Sequence, residues 1–244
     1  MSSIKTASDL AEPMMVAFEK MIASAPESSD MEAEYHTPPC LLRQAFGWGA
    51  KYIEPIDLHG ERWLEAFVQA KNVIAGRGIV ALLGIRGTGK TRMAAEITRA
   101  GFFPSDHGEW NGNGVVRGKT SMYRRTLDVF LDLRAAFGSK ITSEKRVLSE
   151  LEKPGLLVMD EFHERGGSVW ENQIVSNLID KRYAAGRPTI LIANYSITEM
   201  TAAVGPSVVD RMRENGRAFV CDWESYRGRP LAQPSPPSSS QELF

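Results

Sequence analysis

Short, wholly apolar runs alternate with stretches whose apolar residues recur every three or four positions, and this alternation organises the chain from about residue 60 onward. Residues 60–75 place Trp63, Leu64, Phe67, Val68 and Ile74 largely on one face, which predicts a helix stopped at Gly76. The run 79–83 (IVALL) predicts a strand, and 91–100 a helix ended by Gly101 and Pro104. Residues 105–114 (SDHGEWNGNG) carry the composition of a loop. A second strand is expected over 115–125, then a helix from Thr126 to Gly138 and a shorter one over 142–151 with Val147, Leu148 and Leu151 facing inward. The strand 156–159 ends in Asp160-Glu161, and a helix over 169–185, with Trp170, Ile174, Leu178 and Ile179 at helical steps, is closed by Gly186. A strand over 189–193, short helices over 198–204 and 206–215, and a last strand over 218–223 complete the pattern. Strands that are apolar throughout, separated by helices, are those of a parallel sheet covered on both faces. The expected fold class is therefore α/β.

The flanks read differently. Residues 8–23 show one apolar stripe (Leu10, Met14, Ala17, Phe18, Met21, Ile22), capped by Ser8 or Asp9, and predict an amphipathic helix. A polar, acidic, proline-bearing linker follows it. Such a helix must bury its stripe, either against the core or on a partner. The stretch 41–58 mixes aromatics with glycines and predicts no single element, while the segment after Arg229 (PLAQPSPPSSSQELF) has the composition of a disordered tail. The expected division is an N-terminal arm over 1–40, one domain over 41–229 and a tail over 230–244.

Composition narrows the class. The chain of 244 residues is 43% hydrophobic and 24% charged, enough for one sizeable core. No apolar run approaches the roughly 20 residues that span a bilayer, and the first residues lack a basic stretch followed by an apolar one, so a cytoplasmic protein with no membrane role is expected. Cys40 and Cys221, far apart, make neither a disulfide framework nor a zinc cluster. A net charge of −1 conceals an asymmetry: residues 1–40 carry two basic and seven acidic side chains, so the remainder is net basic. An acidic arm joined to a basic core is one reading, an ordinary solvated helix the other.

The chemistry centres on residues 84–91, GIRGTGKT, which match the phosphate-loop pattern G-x-x-x-x-G-K-[ST] at every specified position. The motif needs a strand before it and a helix after it, and both are predicted here. Gly84, Gly87, Thr88 and Gly89 form the turn whose backbone N–H groups face phosphate oxygens, joined by the first turn of the helix. Lys90 supplies a positive charge for the outer phosphates, and the Thr91 hydroxyl is a ligand for Mg²⁺. ATP with Mg²⁺ is the expected cofactor pair. Asp160, delivered to the same sheet edge by the strand 156–159, would hold the metal with Thr91, and the adjacent Glu161 would polarise an attacking water. Asn194 closes the strand TILIAN at that edge, as a water- or phosphate-orienting amide or as a turn residue. His163 admits a catalytic reading and that of a solvent-exposed loop histidine.

Together these residues resemble the AAA+ ATPases, with GIRGTGKT as Walker A, LLVMDE as Walker B and Asn194 at the sensor-1 position. The segment VVDRMRENGRAFVCDWESYRGR looks like the end of the DnaC/IstB-type helicase-loader ATPases. The resemblance covers roughly 41–229. It implies a P-loop AAA+ sheet without a C-terminal lid domain and a homo-oligomer with its ATP site at the subunit interface. It also implies that Arg211 acts as an arginine finger in the neighbouring site and Arg227 as a sensor-2-like contact. By spacing alone, Arg211 would pair with Asp210 or Glu214. The absence of an N-terminal cysteine cluster and the charged sequence after Asp160-Glu161 fit a phage-borne or otherwise divergent member.

The implied partners are a replicative DNA helicase and single-stranded DNA. Arg117, Lys119, Arg124 and Arg125 form a basic run beside Tyr123, which suits backbone tracking and base stacking, or an ordinary basic strand end. Three alternatives share the core: a transposase-helper ATPase, a nucleotide-gated adaptor with little hydrolysis, and a small-molecule kinase, the last disfavoured because adjacent Asp160-Glu161 suits attack by water.

Overall fold

The computed structural model describes Trp48, Gly49, Tyr52 and residues 60–100, 110–111, 115–116, 121–137, 139 and 142–227. The expected arm over 1–40, the tail over 230–244, Arg117 and Lys119 lie outside the described residues.

Five parallel strands form one sheet in the order β4-β5-β6-β1-β7, where β1 is Ile79–Leu83, β4 Ser121–Arg125, β5 Leu156–Asp160, β6 Thr189–Ile192 and β7 Gly216–Val220. The α/β expectation holds. Two-residue strands β2 (Trp110–Asn111) and β3 (Val115–Val116) pair antiparallel as a separate ribbon, so the second strand expected over 115–125 divides in two.

Alternation along the central strands explains why they are apolar throughout. Ile79, Ala81 and Leu83 point into one core with Leu157, Met159 and Leu191, covered by α3 (Thr126–Ala136), α4 (Glu144–Glu152), α5 (Val169–Ala184) and α6 (Ile197–Asn215). Val80 and Leu82 point to the other with Val158, Ile190 and Ile192, beneath α1 (Glu61–Ala75) and α2 (Lys90–Arg99). Each fully buried side chain of this kind contributes about 1.5–3 kcal/mol. The chain leaves β1 for the far edge, returns through β5 and β6, and then passes to the other side of β1. That reversal opens a crevice at the carboxyl ends of the strands, where ligands bind in open α/β sheets.

Local details depart from expectation in instructive ways. On α1, Trp63 and Ile74 are buried, but Leu64 and Val68 stay about half exposed, because Ala70 completes the inner face instead. The turn after α1 is made by Arg77 in the left-handed region (φ 64°), with Gly76 still at negative φ. The two short helices expected near the C-terminus are one element, α6, broken at Gly205 (φ 79°) with Pro206 starting its second half. The Arg182 guanidinium, completely buried, donates to the carbonyls of Leu151, Glu152, Pro154 and Pro188 and to the Thr189 hydroxyl, tying α5 to the turns before β5 and β6.

Candidate nucleotide site

The 84–91 loop joins β1 to α2 at the crevice. Gly84, Gly87 and Gly89 all take positive φ, which lets consecutive N–H groups turn inward. The Lys90 ammonium, 6% exposed, donates to the carbonyls of Gly84 (2.8 Å) and Ile85 (2.6 Å), so it is held across the mouth of its own loop. Burial pushes its pKa below the ordinary lysine value; Arg227 and Arg86 add to that, while Cys221 and Asp160 oppose it. A buried cation beside two further arginines is electrostatically incomplete without an anion, which suits a polyphosphate.

A strap of residues 221–227 fastens this loop from behind. The Cys221 N–H donates to the Leu83 carbonyl (2.8 Å), the Trp223 indole N–H to the Thr88 carbonyl (2.8 Å), and the Tyr226 N–H to the Gly87 carbonyl (2.9 Å). A Cβ on Gly84 would stand 2.5 Å from the Cys221 carbonyl oxygen, and one on Gly87 would collide with Ser225 Oγ. The same strap delivers Tyr226 and Arg227 to the cleft. The W-x-S-Y-R stretch is visible in the sequence, but its roles are not: the Trp223 indole holds the loop, Ser225 packs against Gly87, and Arg227 lines the cleft.

Asp160, at the end of β5 and 5% exposed, faces Thr91. Its Oδ2 accepts the Thr91 hydroxyl (2.9 Å) and the Tyr123 hydroxyl (3.0 Å), and its Oδ1 accepts the Glu161 N–H (2.7 Å). Burial, then the charge of Asp160, push the Tyr123 hydroxyl pKa well up, so it stays a donor. Tyr123 packs on Trp48 (ring centroids 4.4 Å apart). The donor set around Asp160 and Thr91 is hard oxygen, and no group of three or more His, Cys, Asp or Glu side chains able to hold a metal exists among the described residues. One carboxylate and one hydroxyl, with phosphate and water supplying the rest, is how Mg²⁺ is bound at phosphate sites, so the residues present fit it.

Glu161 follows in the left-handed region (φ 53°), a conformation that costs a non-glycine residue free energy and recurs at functional positions. Its Oε2 has no hydrogen-bond partner, and burial together with Glu164 and Asp160 raises its pKa, Arg125 opposing at 3.9 Å. Asn194, just past β6, and His163, in the short 3₁₀ turn Phe162–Glu164, line the same cleft of about 470 Å³. The Asn194 N–H donates to His163 Nδ1 (3.2 Å), and the Asn194 carboxamide lies 3.0 Å from His163 Nε2. His163 is thus not a solvent-exposed loop histidine.

Two groups of candidates stand elsewhere. Arg211 is outside its own chain's cleft: its Nε pairs with Asp180 (2.9 Å) and its Nη1 donates to Ser207 Oγ (2.8 Å). Its partner is on α5 and not the neighbouring Asp210, which takes Arg213. Arg124 pairs with Asp132 and Arg125 with Asp128 (2.8 Å), so both carry carboxylates from α3. Tyr123, read either as a stacking platform for bases or as part of an ordinary strand end, turns its hydroxyl inward to Asp160.

No protein-family model matches the sequence. The chain is 32% identical over 147 residues to the replicative helicase loader DnaC of Escherichia coli K12, a match covering 60% of this chain and 55% of that protein. It is also 30% identical over 174 residues to the uncharacterized protein YdaV of the same strain, covering 69% of this chain and 63% of that one. The chain spans about half the length of the curated loaders it matches. Among solved structures, a DnaC helicase loader superposes with a TM-score of 0.53 at 18% identity, covering 70% of this chain and 99% of that one. The structure of DnaI gives 0.52 at 15% identity, covering 72% and 95%. These likenesses establish the AAA+ P-loop fold.

Proposed function

We propose that this chain, which is similar to the DnaC helicase loaders, is itself an ATP-dependent helicase loader of the AAA+ class. It binds ATP with Mg²⁺ on the 84–91 loop, hydrolyses it in an assembled homo-oligomer, and acts on a replicative helicase and single-stranded DNA. The observation that carries this reading is the convergence of Lys90, Thr91, Asp160, Glu161, Asn194 and Arg227 on one cleft from the loop, β5, β6 and the strap.

In that cleft Lys90 and Arg227 hold the phosphates from the loop side. Thr91 and Asp160 would hold the metal, which when bound neutralises charge on the outer phosphates. Glu161, whose Oε2 accepts no hydrogen bond and stands 3.9 Å from Arg125, would accept a proton from the attacking water. Arg211 completes the site of a neighbouring subunit, leaving Asp180 to do so; supplying a guanidinium in trans makes hydrolysis depend on assembly. Arg117, Lys119, Arg124 and Arg125 remain the candidate DNA contacts, and residues 1–40 the candidate docking arm for the helicase.

The deciding experiment is ATP hydrolysis across a protein concentration series, with and without single-stranded DNA, for the parent, Arg211→Ala and Glu161→Gln. Specific activity that climbs with concentration and collapses in both variants supports the reading. A concentration-independent rate indifferent to Arg211 removes it. A second reading, a nucleotide-gated adaptor with little hydrolysis, is favoured by the approach of Arg125 to Glu161. A Glu161→Gln variant no slower than the parent would select it. Filaments formed on DNA with a transposase would point instead to the transposase-helper alternative.

A further inference from the structure

The contact between His163 and Asn194 fixes more than a distance. The backbone N–H of Asn194 points at His163 Nδ1, 3.2 Å away, and a backbone N–H cannot turn round. Nδ1 must therefore be the bare, accepting nitrogen. A neutral imidazole carries one N–H, so the proton sits on Nε2. That nitrogen lies 3.0 Å from Asn194 Nδ2, the NH₂ end of the carboxamide as placed. Two donors facing each other at that distance repel, whereas the carboxamide can exchange its oxygen and NH₂ by a half-turn without changing shape. Its oxygen is the end that satisfies Nε2–H.

We infer that His163 is a positioning residue that holds the Asn194 carboxamide oxygen-inward, leaving its NH₂ as a hydrogen-bond donor to the cleft. The inference rests on the ATP-site reading above and deepens it. A donor at the end of β6, in the cleft that Lys90 also lines, recognises a terminal phosphate oxygen or the lone pair of an attacking water. An unheld carboxamide would present oxygen as readily, and oxygen repels phosphate. His163 and Asn194 thus form one device for telling a nucleoside triphosphate from a diphosphate.

The surroundings keep the imidazole neutral. Tyr195 meets its ring edge-on at 5.9 Å. Burial lowers its pKa below the ordinary value; Arg86 and Lys90 push the same way, against Glu164 and Asp160. Protonation would put a hydrogen on Nδ1 opposite the Asn194 N–H and break the arrangement.

Two measurements test this. In ¹⁵N-histidine-labelled protein at neutral pH, with signals assigned by His163→Gln, long-range ¹H–¹⁵N spectra should show His163 as the Nε2–H tautomer; an Nδ1–H tautomer or an imidazolium overturns the inference. Separately, the ratio of affinities for a non-hydrolysable ATP analogue over ADP, both with Mg²⁺, should fall roughly tenfold in His163→Ala and in Asn194→Ala. The double variant should fall no further, and His163→Gln, which keeps a terminal N–H donor, should recover part of the loss. Losses that simply add in the double variant, or a ratio unchanged in His163→Ala, overturn it. Should the parent bind neither nucleotide, the ATP-site reading fails while the tautomer result still stands by itself.

Discussion

The Tyr123 hydroxyl donates to Asp160 Oδ2 at 3.0 Å, alongside the Thr91 hydroxyl at 2.9 Å. This places a tyrosine from one strand on the acidic residue of the next, parallel neighbour, where Arg125 is the register partner of Asp160 and Tyr123 that of Val158. Two hydroxyls on one carboxylate oxygen fix the plane of the carboxylate, and Trp48 fixes the tyrosine in turn. Tyr123→Phe keeps the packing and removes only the donor. The expected outcome is a several-fold higher Mg²⁺ requirement for nucleotide binding, and a stability loss of about 1.5 kcal/mol as a hydrogen bond to a charged group disappears. Nucleotide affinity titrated against Mg²⁺ checks it; an unchanged Mg²⁺ requirement would make the hydroxyl merely structural.

Gly87 offers a sharper test of the strap. Its φ of 89° is one that other residues avoid, and a Cβ there would overlap Ser225 Oγ. Gly87→Ala should lower nucleotide affinity by at least tenfold with little change in melting temperature, since the loop is local. Adding Ser225→Gly should recover only part of the loss, because removing the collision leaves the backbone strain. Full recovery would mean that the collision alone matters.

For single-stranded DNA, Arg124 and Arg125 are already paired with Asp132 and Asp128. Two free cations neutralising phosphates on a single strand would change the slope of log affinity against log salt by about 1.4. Replacing both arginines by glutamate should change it by less than half that amount, because each must surrender a carboxylate to take a phosphate. A slope change of the full size would show that the α3 pairs open on binding. Salt titration of fluorescent oligonucleotide binding measures it.

The parts of this molecule legible in its sequence are those governed by near neighbours. The phosphate loop sits between an apolar strand and a helix, and Asp160-Glu161 ends another apolar run, so period and motif sufficed for both. What pattern could not supply are pairings across long separations. Tyr123 reads as an exposed aromatic in a basic run until β4 is laid beside β5. His163 reads as a loop residue until β6 brings Asn194 to it. Gly76 does stop α1 as its glycine suggests, although the left-handed residue that makes the turn is the next one, Arg77.

Arg211 and Asp180 give the last prediction. Their pair is about one-third exposed on each side, and Ser207 shares both partners. A partly exposed pair of this kind is worth about 0.2–1 kcal/mol, small enough to be exchanged for a phosphate in a neighbouring subunit. Within the loader reading, Asp180 therefore competes with assembly for the same guanidinium. Asp180→Asn should shift the concentration at which ATPase activity is half-maximal downward by up to about fivefold, whereas Arg211→Ala abolishes the concentration dependence. Arg211→Lys should restore little, because a point charge cannot reproduce the fork of donors. If Asp180→Asn and Arg211→Ala instead lower the melting temperature equally and leave the rate per subunit unchanged, the pair only staples α6 to α5, and the arginine does not serve the neighbouring site.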